Sequence, residues 1–360
     1  MLFGKAAALL STVSAVSAKL TWGSTKFLFA FGDSYTTDGF NISAGVDSLV
    51  PDFTSSNGPN WVQFLGGTYN VTDTKVFDLA SGGATIDAAL VAPFLPTVLS
   101  IVDQVTQFHD ILAPKPVGAR WASSNSLFAF WIGINDVGNS FASTNITSQS
   151  DFHRILMNRL FSQVEVLYKD GARSFLFLTV PPTNRAPLIL VQGQQAITKI
   201  TAALADYNTQ LTARVREFQA THPDLDQVTV FDTRPIFNTL LDNAQTFGFV
   251  NSTGFCEAYQ NGTPSPTTQV PGCAPVSSYF WLNSLHPLFT VHNILAHAIS
   301  TTLSALSAES ADDILLRSVP LCDRRVRITN APDAGGVRST INGPTGLGPG
   351  SNCAHPLPRH

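Results

Sequence analysis

Charge is scarce in this sequence: Asp, Glu, Lys and Arg make up 13% of 360 residues, and they nearly cancel to a formal net charge of -4. No basic run is long enough to follow a phosphate backbone, so nucleic acid is not an expected partner. Long apolar runs are missing as well. Beyond the N-terminal segment nothing approaches the ~18 uninterrupted apolar residues of a membrane span, and none is expected. Cysteine is limited to four residues. No two of them stand at metal-ligand spacing, so no metal site is expected.

The N-terminus carries Lys5, then Ala6-Ala7-Ala8-Leu9-Leu10, then small residues ending Ala15-Val16-Ser17-Ala18. That pattern is a secretory signal over residues 1–18, which leaves the fold to the rest and makes the protein secreted and extracellular. Four cysteines fit an oxidising compartment. Their order suggests Cys256 with Cys273 and Cys322 with Cys353, although four cysteines allow three pairings. Asn41, Asn70, Asn145, Asn251 and Asn261 each open an Asn-x-Ser/Thr tripeptide, the acceptor pattern for surface glycans.

The remaining chain alternates two periodicities. Short apolar runs at 27–31, 76–80, 126–133, 174–180 and 227–232 read as buried strands. Helical patterns occupy 61–65, 96–109, 151–169, 194–220, 235–245 and 290–307. Ser150 or Asp151 caps the third of these, and Gly171 stops it. Strand and helix in turn imply an α/β domain, a doubly wound parallel sheet with helices on both faces, spanning 19–310. Residues 251–279 form an excursion loop. Residues 311–360 are a Pro/Gly-rich tail, disordered or loosely attached; its Gly346-x-Gly348-x-Gly350 follows no strand and opens no helix, so it is not read as a phosphate loop.

Polar chemistry begins where the strands stop. The first run, Lys26 to Phe31, ends abruptly on Gly32-Asp33-Ser34, and a Ser just past the carboxyl end of a central strand sits where open α/β sheets bind ligands. Ser34 is the candidate nucleophile. It needs a base, a group to orient that base, and donors for an oxyanion. His286, in a loop before the last helix, suits the base better than the helical or tail histidines. Gly83 and Asn135, each just past a strand end, suit the donors, although a turn glycine and a helix-capping Asn are the commoner roles of such residues.

Gly32-Asp33-Ser34-Tyr35, Gly83, Gly133-Ile134-Asn135-Asp136 and His286 together resemble the four signature blocks of GDSL-type (SGNH) hydrolases, in the right order across residues 27 to 308. The resemblance implies a flavodoxin-like three-layer α/β/α fold with a central parallel sheet, esterase or lipase chemistry and no cofactor. It implies Ser34 as nucleophile and backbone oxyanion donor, Gly83 (in preference to Gly82) as a second backbone donor, Asn135 as a side-chain donor and His286 as general base. Phe31 to Thr37, Ser81 to Thr85 and Trp281 to Pro287 are more closely similar to secreted fungal acetylesterases of carbohydrate esterase family 16. That likeness implies a small-molecule or oligosaccharide ester as substrate, and a monomer is expected. One position departs from the pattern: Asn283 stands three residues before His286, where the family has Asp. An Asn can orient the ring but supplies no charge. Asp33 and Asp136 are alternative acids, more readily read as anchors of their loops. Two rival readings are a lipase-like esterase for longer acyl chains and a non-catalytic carbohydrate-binding protein with Trp22, Trp61, Trp131 and Trp281 as stacking faces, Trp131 being better placed in the core.

Overall fold

The computed structural model describes residues 20–318, with side chains to residue 308. The signal segment, the Cys322 and Cys353 pairing and most of the tail lie outside the described residues. Five strands form one all-parallel sheet: β1 (Phe27–Gly32), β2 (Lys75–Asp78), β3 (Ser126–Trp131), β4 (Ser174–Leu178) and β5 (Gln227–Phe231), in the order β2-β1-β3-β4-β5. All five coincide with the apolar runs of the sequence. The order reverses between β1 and β3, which pair from Phe27↔Ser126 to Gly32↔Trp131. This is the flavodoxin-like order, and its switch point opens a crevice beyond the carboxyl ends of those two strands.

Eight α-helices accompany the sheet among the described residues: α1 (Trp61–Gln63), α2 (Ile101–Gln107), α3 (Ile134–Ser140), α4 (Gln149–Lys169), α5 (Pro187–Leu190), α6 (Gln194–Thr221), α7 (Arg234–Asp242) and α8 (Phe289–Ser318). The alternation of side chains along each strand sorts them into two aromatic layers. On one face Phe29 lies 4.9 Å from Phe128, Phe31 4.8 Å from Phe130, and Phe130 5.4 Å from Phe177. Phe108 and Trp121 close that layer at one end, Phe161 of α4 and Phe218 of α6 at the other. On the opposite face Trp131 packs against Tyr35, Trp61 of α1, Phe237 of α7 and His292 of α8. The result is three layers.

Helix ends depart from expectation where capping outweighs periodicity. α2 begins after Ser100, not near Pro96, because the Ser100 hydroxyl accepts from Asp103 N–H while the Asp103 carboxylate accepts from Ser100 N–H. α4 is capped by Ser148, two residues early, and is stopped as expected by Gly171, at φ +110 just beyond its end at Lys169. The last helix runs to Ser318, not Ser307; no Gly or Pro interrupts it. A disulfide joins Cys256 to Cys273 and staples the excursion loop. Among the described residues no helix is long and apolar enough to cross a membrane.

Candidate active site

The site is assembled at the switch point by three loops that follow β1, β2 and β3, together with the loop before α8. After Gly32 the chain makes a single tight turn, with Thr36 and Thr37 N–H both donating to the Asp33 carbonyl at 3.0 Å. Asp33 is fully buried and its carboxylate accepts from Tyr35 N–H at 3.0 Å, which locks the turn and presents Ser34. Beneath it the buried Gln104 of α2 both donates to the Gly32 carbonyl and accepts from the Gly32 N–H, each at 2.9 Å. Gln104 was not singled out from sequence. Its one signal is a polar residue on the apolar Ile101, Val105 and Phe108 face of its helix.

Ser34 Oγ lies 2.8 Å from His286 Nε2. The histidine sits in a tight loop closed by Leu282 N–H donating to the His286 carbonyl at 2.8 Å, and tied to the serine turn by Tyr35 Oη donating to the Leu285 carbonyl. His286 Nδ1 lies 3.0 Å from Asn283 Oδ1, which also accepts from Leu285 N–H at 3.0 Å and His286 N–H at 2.9 Å. Two backbone donors fix the amide with its oxygen toward the ring. An acceptor at Nδ1 places the ring proton there and leaves the Nε2 lone pair facing Ser34. Burial pushes His286 down to about 4, so the ring is a free base from mild acid upward.

Neither alternative acid reaches the histidine by a hydrogen bond. Asp136 is buried and accepts from Ile86 N–H through both oxygens, at 3.0 and 3.3 Å, anchoring the loop after β2. Burial raises Asp33 and Asp136 to about 7. Both are loop anchors.

Gly133 precedes α3 with φ +118, and a Cβ there would sit 2.4 Å from the Tyr207 hydroxyl; only glycine turns the chain at this point. The turn delivers Asn135, whose Nδ2 donates to the Ala84 carbonyl at 2.8 Å and so links the loops after β3 and β2. In the Gly82-Gly83 pair, a Cβ on Gly82 would stand 4.0 Å from Ser34 Cβ, whereas one on Gly83, at φ +83, would strike Phe94 at 2.5 Å.

One recess opens at His286 and a smaller one lies beside Asn135. A groove of about 540 Å³ runs from His286 and Asn283 between residues 52–58 and 260–266. A cavity of about 90 Å³ lies beside Asn135, walled by Ile134, Leu188, Ile189 and Leu285. The four tryptophans considered as sugar faces are all buried: Trp22 is 3% exposed, Trp281 1%, Trp61 and Trp131 0%. The exposed aromatic rings near the site are Phe53, at 76%, and Phe94, at 78%.

The family model of the GDSL-like lipase/acylhydrolases matches residues 28–299. The chain belongs to the GDSL-like lipase/acylhydrolase family. Its similarity to an acetylesterase of Thermothelomyces thermophilus is 36% identity over 307 residues, 82% of this chain and 95% of that one. An acetylesterase of Hypocrea jecorina is 27% identical over 177 residues, 42% of this chain and 47% of the relative. Among solved structures, the acetylxylan esterase Axe2 from Geobacillus stearothermophilus aligns with a TM-score of 0.44 at 15% identity, over 79% of this chain and 96% of that one. The protein is an ester hydrolase of acetylesterase-like sequence.

Proposed function

We propose that this GDSL hydrolase is a secreted acetylesterase that deacetylates small saccharides, with Ser34 as nucleophile and His286 as base. The observation that carries the reading is the unbroken line Ser34 Oγ, His286 Nε2, His286 Nδ1, Asn283 Oδ1 at 2.8 and 3.0 Å. Ser34 Oγ attacks the ester carbonyl as its proton passes to Nε2. The oxyanion is held by the Ser34 N–H, the Asn135 side-chain amide and the Gly83 N–H. The tetrahedral species collapses, Nε2–H protonates the departing alcohol, and water repeats the sequence to release acetate. Asn283 orients the ring without contributing charge.

Recess size supports a small acyl group and a large polar alcohol. Ligand pockets commonly run to about 300–1,000 Å³. The groove beside His286, the group that protonates the alcohol, falls in that range, and the cavity beside Asn135 is far below it. The acetylesterase relatives point to the same acyl group. The Cys256–Cys273 disulfide supports an oxidising compartment. A non-catalytic sugar-binding reading loses its tryptophan faces to the core. Hydrolysis of matched acetate and octanoate esters tests the proposal: kcat/KM should favour acetate by at least about tenfold, about 1.4 kcal/mol, because the longer chain exceeds the small cavity. Equal rates, or a preference for octanoate, would show a lipase-like site instead.

A further inference from the structure

Ile132 and Gly133 carry the chain from β3 into α3, and the left-handed φ of +118 at Gly133 sets the direction from which Asn135 enters the site. The side chain against that turn is Tyr207, midway along α6 and fully buried. Its hydroxyl donates to the Ile132 carbonyl at 3.2 Å, and the space a Cβ on Gly133 would need is filled by the Tyr207 hydroxyl and ring tip at 2.4 Å. Burial, with the Asp136 and Asp33 carboxyls close by, holds the phenol well above its usual value, so it remains a donor at neutral pH.

Tyr207 is in turn seated by a pair of residues that the ester chemistry does not use. His153 of α4, fully buried, meets the Tyr207 ring at 5.7 Å and 84°, an edge-to-face contact. Its Nδ1 lies 2.6 Å from Asp206 Oδ2, and Asp206 also accepts from Gln210 Nε2 at 2.8 Å and from Ser150 Oγ at 3.0 Å. His153 Nε2 is buried and has no hydrogen-bond partner among the described residues. An unpaired polar atom in the interior is costly and calls for a reason. The reason this geometry offers is the hold on the Tyr207 ring.

The demand for such a hold comes from Asn135. One Nδ2 hydrogen is committed to the Ala84 carbonyl at 2.8 Å, which leaves the other for the oxyanion. An oxyanion donor acts on charge that exists only in the transition state, and over a narrow range of about 2.7–3.1 Å. A small shift at Ile132-Gly133 is therefore felt in turnover and not in substrate binding.

We infer that Tyr207 is a positioning residue for catalysis, acting through the Ile132-Gly133 turn to set the Asn135 amide, with the Asp206–His153 pair fixing its ring. The inference rests on the reading of Asn135 as an oxyanion donor.

The test is a double-mutant cycle in the full chain, Tyr207→Phe and Asn135→Ala separately and together, read on p-nitrophenyl acetate. Tyr207→Phe should lower kcat about tenfold with KM within about twofold, and should weaken a trifluoromethyl ketone, whose hemiketal oxyanion needs the same donor, by a similar factor. In Asn135→Ala protein, already slowed by about a hundredfold or more, Tyr207→Phe should change kcat by less than about twofold. His153→Gln, which keeps a partner for Asp206 and removes the ring edge, should lower kcat in the same background-dependent way, and it decides the matter if Tyr207→Phe does not fold. Equal losses in both backgrounds, in proteins that melt above the assay temperature, would make Tyr207 a purely structural residue and overturn the inference; so would an unchanged kcat. An Asn135→Ala protein of undiminished kcat would instead sink Asn135 as a donor, and the inference with it, while leaving Ser34 and His286 in their roles.

Discussion

Asn283 differs from the usual triad acid by an amide in place of a carboxylate, and the surrounding loop decides which half of that amide meets His286. An Asn in this position can turn its NH₂ to the ring and force the wrong tautomer, at a cost of about 10⁴ in turnover. Here the Leu285 and His286 N–H groups both require an acceptor, so the oxygen faces inward and the correct tautomer is kept. What is missing is charge alone. Burial holds His286 low, near 4, and no carboxylate at Nδ1 offsets it. Asn283→Asp restores a carboxylate at 3.0 Å from Nδ1. It should raise the histidine, move the acid limb of the kcat/KM profile up by about 1 to 3 pH units, and increase kcat at neutral pH by about tenfold or more. An unmoved limb with an unchanged rate would mean that Asn283 does not face the catalytic ring.

At the scale of elements, the sheet was legible because parallel strands covered on both faces are nearly continuous apolar runs, and all five announce themselves in that way. Ser34, Asn135 and His286 were legible for a related reason: each lies next to a strand or helix end that the pattern marks. The lost detail concerns residues whose work depends on a distant loop. Gln104 looks like a stray polar residue until α2 is laid under Gly32. Asn57 sits in a stretch without periodicity, and its bonds to the stapled loop, 206 residues away, emerge only in three dimensions. The tryptophans misled in the opposite sense, since ring chemistry does not say which rings the aromatic layers will bury. Helix ends followed local caps, Ser100 and Ser148, more closely than hydrophobic period.

Across the whole molecule, burying so many ionisable groups makes stability depend on pH in a particular direction. Burial raises Asp33 and Asp136 from 3.8 to about 7, Asp38 to about 6, and Asp78 well above its ordinary value. A raised carboxyl contributes stability in full below its unfolded value and loses it as pH climbs through the folded one. His286 and His292, lowered from 6.5 to about 4 and about 3, act oppositely, contributing above 6.5 and losing as pH falls. Between about pH 4.5 and pH 7.5 the four carboxyls outweigh the two histidines. The melting temperature should fall as pH rises across that interval; a melting temperature that climbs with pH would show these aspartates to be ionised in the folded protein.

With His286 Nε2 at 2.8 Å from its hydroxyl, Ser34 should react as a nucleophile. The most direct test is reaction with a fluorophosphonate followed by mass mapping of the modified peptide. A single adduct is expected on the peptide bearing Ser34, abolished by Ser34→Ala and suppressed by His286→Ala. An adduct on another residue, or none on a folded protein, would contradict it.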